Sequence, residues 1–393
     1  MKKILFALMG LCTLAFTACD SDDDNKSELS NRWSIDEVTQ TLYDSDTEGV
    51  SVTVRLAMTP NKDVVLEPVI TYGNDAMNKV FETEQFVTIP AGQKSTTFKV
   101  CANGLESIQQ SGYISITFKE VAGVKAGQVA FIYVAPMGGE VQTPTAEQQE
   151  MMATWKDNGF DAEKYLGVHK VSTTITFNDD DKELYFGGQQ SMEYNGFVTI
   201  NVSPNATEDD ICLVMSGNAL GMQSFLYKTF KLNTVEDEDY WLQNVHNTDL
   251  LKQVNYNAAT ETFNVALEIH VNLDGSIIFT KLNDDDEEKV AFEYDYSAWN
   301  RQQQVEKYII DNGDEGKEEM TMEEAIEWGI TLNPAACLGY SDISYDAWDG
   351  GVTSLYVTPA GSWNSTGLDF VFPFDFSLAS GYEKVSVRIS INN

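Results

Sequence analysis

Basic residues are scarce in this chain. Only 25 lysines and arginines face 61 aspartates and glutamates over 393 residues, a formal charge of −36. A surface of that sign repels phosphate backbones and anionic lipid heads, which excludes DNA and RNA as partners. It favours solubility, cations, and neutral or basic partners. Histidine is nearly absent: His169, His246 and His270 are the whole set, and no pair has metal-ligand spacing. Of the five cysteines, Cys12 and Cys19 lie at the start, and Cys101, Cys212 and Cys337 stand more than 100 residues apart. That spacing builds no disulfide framework. Their apolar neighbours, as in Ile211-Cys212-Leu213, predict buried free thiols, and leave open whether one pair is bridged.

Other absences narrow the chemistry. There is no Gly-x-Ser-x-Gly elbow, and Gly217-Asn218-Ala219-Leu220-Gly221 lacks the lysine of a phosphate-binding loop. No period of roughly 20 to 50 residues repeats, which excludes solenoids and propellers. After Ala18 no apolar run is long enough to span a bilayer.

What is present begins at the N-terminus. Lys2 and Lys3 precede an uncharged, mostly apolar run from Ile4 to Ala18, too short to span a membrane and suited to a signal peptide. It ends Phe16-Thr17-Ala18-Cys19, followed by Asp20-Ser21-Asp22-Asp23-Asp24. The first motif resembles the bacterial lipoprotein lipobox, with Phe16 where leucine is usual. The resemblance implies cleavage before Cys19 and acylation of its thiol, the sole anchor to an outer membrane. The acidic run cannot bury and reads as a solvated tether over residues 19–32. It also resembles the tag that sends Bacteroidetes lipoproteins to the outer face of the cell. Removing residues 1–18 leaves 375 residues and takes away Lys2 and Lys3. That length suggests two or three domains.

From 33 to 136 the chain reads as short strands about ten residues apart. Val50, Val52, Val54, Leu56 and Met58 alternate with Ser51, Thr53, Arg55 and Ala57, the mark of a half-buried strand. Breakers such as Pro60-Asn61 and Pro90-Ala91-Gly92 separate the runs, which predicts an Ig-like β-sandwich. The stretch from Val87 to Val100 resembles the strand–turn–strand of Calx-β modules. Where calcium-binding members carry acids, this chain has Ala102-Asn103-Gly104, so the resemblance implies the fold without the ion.

Residues 137–144 read as a linker, and 145–393 as a larger β-rich α+β domain with helices near 145–166 and 298–329. Thr145 with Gln148, and Thr321 with Glu324, form capping boxes. Trp299 to Asp311 reads as a helix through Val305, Tyr308 and Ile309, while 222–256 shows no clean period. Strands are expected at Val352–Val357, Leu368–Phe372 and Lys384–Ile391, the last completing a sheet begun near Val171. The region resembles an uncharacterised family of Bacteroidetes lipoprotein domains, on its helix–Trp–Asn-Gly–Asp–Tyr-Leu-Gly opening.

The runs Asn178-Asp179-Asp180-Asp181 and Asn283-Asp284-Asp285-Asp286 could hold calcium, but their spacing and missing glycine favour turns, and no cofactor is expected. With 61 acids a carboxylate pair at glycosidase spacing is bound to occur, and none stands in a distinctive context. Trp348 and Trp363 sit in Gly/Ser/Asp-rich loops, where an indole could stack on a sugar ring. The expectation is therefore a lipid-anchored surface protein that binds glycan or protein without catalysis. A structural or adhesive component comes second and a glycan-processing enzyme third.

Overall fold

In the computed structural model, the described residues are 31–391 except 45, 74–79, 259, 281–289, 291, 312–315, 339–341, 344, 346–353 and 376–379. Cys19, the tag residues Asp20 to Asp24, the 283–286 run and Trp348 lie outside them. No helix among the described residues is long and apolar enough to cross a membrane.

The protein is mainly β. Its N-terminal part is a sandwich. A five-stranded sheet runs in the order Val124–Lys125, Asn31–Ile35, Val50–Leu56, Ser95–Ala102 and Phe81–Thr83. A four-stranded sheet runs Leu42–Tyr43, Ala130–Ala135, Gly112–Phe118 and Pro68–Tyr72. Val50, Val52, Val54 and Leu56 are at most 3% exposed, so the alternation places one face of the strand in the core. Facing residues include Ile114, Ile116, Ile132 and Val134, all fully buried. Each such side chain contributes about 1.5–3 kcal/mol of transfer free energy. The Calx-like segment departs from a simple hairpin: Val87–Ile89 pairs with Val64–Leu66, while Ser95–Ala102 joins the five-stranded sheet.

The C-terminal part is organised on a ten-stranded antiparallel sheet. Its successive strands are Ile211–Ser216, Ser191–Val202, Gly167–Thr176, Glu383–Ser390, Gly367–Asp375, Ala360–Asn364, Ser276–Phe279 and Phe263–Val271. The last of these pairs back onto Ile211–Ser216, which closes the sheet into a barrel. Closure leaves these strands without a free edge. Val171 sits opposite Ile389, so the chain's last strand does complete the sheet begun near Val171. Phe292–Tyr296 hangs on the lower half of Phe263–Val271, beyond the closed part. The 3-10 turn Ala219–Gly221 touches strands around the barrel, and Phe225, Leu226 and Phe230 of the helix Gln223–Leu232 are fully buried against it.

Several local expectations change. The segment read as a helix over Trp299–Asp311 is a short helix, Ser297–Gln302, followed by the strand Lys307–Asp311, which pairs with Lys317–Thr321. Tyr308 and Ile310 are buried and Ile309 is exposed, so the period there is two; β-branched neighbours and a partner strand overrode the helical spacing. Asp179 to Asp181 do not make a turn. They open the helix Asp179–Tyr185, capped by Asn178 Oδ1 accepting from the amides of Asp180 and Asp181. Acids in a first turn suit the positive end of the helix dipole. The region 222–256 holds two helices, Gln223–Leu232 and Val245–Gln253. Described residues 354–359 form no strand, although Val352–Val357 was expected to be one.

The stretch 137–144 is not a slack tether. Met137 N–H donates to Asp44 Oδ1 at 2.9 Å, Thr199 N–H to the Gly138 carbonyl at 3.0 Å, and Gln142 N–H to Asn201 Oδ1 at 2.8 Å. Thr199 Oγ1 adds a bond to the Gly139 carbonyl at 2.7 Å. The backbone passes so close that a Cβ on Gly217 would lie 2.3 Å from the Met137 carbonyl oxygen. Sandwich and barrel are thus joined by a hydrogen-bonded strap.

Candidate functional site

A cleft of about 540 Å³ opens beside this strap. The sandwich contributes Thr41 and Tyr43, from its edge strand and the residues before it, with Ser111 and Tyr133. The strap contributes Glu140 and Gln142. The barrel contributes Thr262, Asn264, Glu293, Tyr294 and Asp295. The floor is β-structure on both sides, and the walls are tyrosine rings, amides, hydroxyls and carboxylates.

Each group is held by its strand. Tyr43 lies opposite Ala135, and Tyr133 lies opposite Tyr113 with ring centroids 5.2 Å apart, edge to face. Tyr113, Phe131 and Tyr133 are 59%, 55% and 39% exposed, so an aromatic apron runs over the outer face of the four-stranded sheet toward the cleft. Burial, then Asp295 and Tyr133, push the Tyr43 phenol up to about 12, which keeps its hydroxyl protonated as a donor. Glu140 accepts from Ser111 Oγ at 2.6 Å, and Asp295 Oδ1 accepts from Asn300 Nδ2 at 2.7 Å. These bonds fix the direction in which the two carboxylates point.

Trp363 does not supply a sugar platform. It belongs to the strand Ala360–Asn364, its Nε1 donates to the Asn272 carbonyl at 2.8 Å, and its ring packs edge-on against Phe160 at 5.1 Å and Tyr165 at 6.0 Å. The Gly/Ser-rich context had indicated a loop, and the strand turns the indole onto the core instead. The expected pair Trp348 and Trp363 is therefore not a described surface.

The other sequence candidates resolve differently. The thiols of Cys101, Cys212 and Cys337 are unbridged. Burial pushes those of Cys212 and Cys337 up to about 12, so neither is a thiolate at neutral pH. Asp181 is fully buried, and both its carboxylate oxygens accept from the Ser380 amide, at 2.9 and 3.0 Å. Asn178 also bonds Asp181, and its own amide N–H donates to Glu383 Oε2 at 2.7 Å. This is an internal polar knot joining a helix cap to the strand Glu383–Ser390. Among the described residues no group of three or more His, Cys, Asp or Glu side chains is arranged to hold a metal.

Sequence reasoning missed one further alignment. His270 Nδ1 lies 2.9 Å from Asp210 Oδ1, and its Nε2 lies 2.9 Å from Thr280 Oγ1. A hydroxyl, an imidazole and a carboxylate in line is the order a nucleophilic triad uses. The cleft includes none of the three residues. The line ties the strand Phe263–Val271 to Asp210 on one flank and Thr280 on the other.

The cleft tyrosines were also missed. The signal of Tyr133 is an aromatic on the polar face of an alternating strand, between Ile132 and Val134.

The fold and cleft define a mainly β protein, a sandwich strapped to a closed barrel. Residues 142–390, more than half of the chain, match the family described as Domain of unknown function (DUF8472), and the chain belongs to that family. No curated protein matches. Among solved structures, the apo-form Calx CBD1 domain is similar over 27% of this chain and 97% of its own, at 14% identity and a TM-score of 0.23. A multidomain protein including DUF1735 from Bacteroides ovatus is similar over 91% of this chain and 93% of its own, at 10% identity and a TM-score of 0.21. A protein of unknown function from the same organism is similar over 91% and 89%, at 10% identity and a TM-score of 0.21.

Proposed function

We propose that this is a lipid-anchored cell-surface protein that binds glycan without catalysis, in the cleft between sandwich and barrel. The observation that carries the reading is the convergence of Tyr43 and Tyr133 in one open cleft with Gln142, Asn264 and Thr262. Phenol rings cover the apolar faces of sugars, and amides and hydroxyls meet their hydroxyl groups in directional bonds. Titrating the chain from residue 19 with oligosaccharides found on an array tests it. Tyr43→Ala and Tyr133→Ala should each cost on the order of 1–2 kcal/mol of affinity, as aromatic anchors do. Trp363→Ala should lower the melting temperature and leave affinity unchanged. Affinity that survives both tyrosine changes would remove the cleft from the account.

The anchor is part of the same proposal. Cys19 carries the lipid and Asp20, Ser21, Asp22, Asp23 and Asp24 direct the protein to the outer surface of an outer membrane. Each buried methylene is worth about 0.8 kcal/mol, so two or three acyl chains hold a protein for good. Cys19→Ala should release it from membranes after a carbonate wash, and a variant that still pellets would refute the anchor.

A further inference from the structure

Among the described residues the charges lining the cleft are all of one sign: Glu140, Glu293 and Asp295 line it, and no described lysine, arginine or histidine does. The carboxylates come from separate pieces of chain: Glu140 from the strap, Glu293 and Asp295 from the strand Phe292–Tyr296. Among them stand the rings of Tyr43 and Tyr133, whose faces carry negative electrostatic potential. Both kinds of wall attract a cation and both repel an anion. A concave site of uniform sign concentrates the field further.

From this charge pattern together with the ring faces, we propose that the cleft selects a glycan bearing protonated amines, an oligosaccharide of 2-amino-2-deoxy sugars, over its N-acetylated and acidic counterparts. The inference rests on the glycan reading above and adds the charge of the ligand. The ring faces of the amino sugar stack on tyrosine, as any sugar's would. Its ammonium groups donate charge-assisted hydrogen bonds to Glu293 and Asp295, which a neutral acetamide cannot match. Glu140, held by Ser111, takes the same role from the opposite wall. Uronic, sulfated or sialylated chains would bring carboxylates or sulfates against carboxylates.

The test uses the chain from residue 19 at pH 6, where a sugar amine is protonated. Affinities are measured for a β-linked glucosamine tetramer, the N-acetylated tetramer, a polyuronate tetramer and a lysine-rich peptide. The amine form should bind about tenfold or more tighter than the acetylated form, the size of one charge-assisted contact. That gap should close in high salt and in the double variant E293Q/D295N, with the melting temperature of the variant showing that it folds. Equal affinity for amine and acetamide would overturn the inference and leave glycan binding standing. So would tightest binding by the polyuronate. Binding of the peptide alone would overturn the sugar class. If no oligosaccharide binds at all, the cleft reading itself falls.

Discussion

Between pH 5 and pH 9 the protein should lose stability steadily, and Glu383→Gln should abolish most of that loss. Glu383 is fully buried. Burial first, then its hydrogen bond to Asp181 and the nearby charges of Asp181 and Asp375, push its carboxyl up to about 9, against the amide of Asn178, which pulls the other way. In the unfolded chain it titrates near about 4.3. Through that window the native state binds a proton that the unfolded state has released, so stability falls as pH rises. The contribution is fully present below the unfolded value and is gone above the folded one. Its size is on the order of a few kcal/mol. Burial raises Asp44 as well, which adds to the same slope. His169, which burial lowers, acts in the opposite sense at acid pH. Glutamine reproduces the protonated acid: an oxygen to accept from Asn178 N–H and a donor for Asp181. The variant should therefore match wild type at pH 5 and melt later at pH 8.5. Equal slopes in the two proteins would show that Glu383 is ionised when folded. Glu383→Ala removes the acceptor of Asn178 N–H and should destabilise at every pH.

The second large effect concerns the strap. Gly217 has φ +79°, and a Cβ there would meet the Met137 carbonyl oxygen at 2.3 Å and the Gly138 carbonyl carbon at 2.4 Å. Alanine adds left-handed strain of about 1 kcal/mol and a backbone clash that no side-chain rotation relieves. Gly217→Ala should cost several kcal/mol in the barrel, within the range of roughly 4–5 kcal/mol and above that marks exceptional single changes. It should also free residues 137–144 for protease, while wild type resists there because its backbone groups are already bonded. The sandwich, with its own core around Val52, Ile116 and Ile132, should survive as a fragment. Gly92→Ala is the control: φ is +85° with nothing within 4 Å, so it costs strain alone and opens no cut. A Gly217→Ala protein as resistant as wild type would mean that the strap does not hold the two parts.

How far the sequence carried the fold depends on where each signal lay. Val50 to Leu56 was readable because one face is core and the other solvent. Both capping boxes formed as spaced, Thr145 with Gln148 and Thr321 with Glu324, since the four residues involved need only one another. Lys307–Asp311 failed because Tyr308 and Ile309 fit a helical stripe as well as a strand, and only the partner Lys317–Thr321 decided. The strap looked like a linker because glycine and polar residues mark both a free chain and a chain pressed against another backbone. The cleft was out of reach. Tyr43 and Tyr133 meet Glu293 and Asp295 there, and nothing local to any of them announces the others. Trp363 misled for the complementary reason: its polar neighbours face out while the indole turns in.

The place a ligand occupies separates these outcomes. Hydrogen–deuterium exchange, with and without the tightest oligosaccharide, reads that directly on the unmodified chain. Protection is predicted in peptides covering 41–43, 133–142, 262–266 and 293–295, from both sides of the cleft at once. Protection confined to the segment around Trp348, or to the sandwich face around Tyr113 and Phe131 with no change in 262–266 or 293–295, would contradict it.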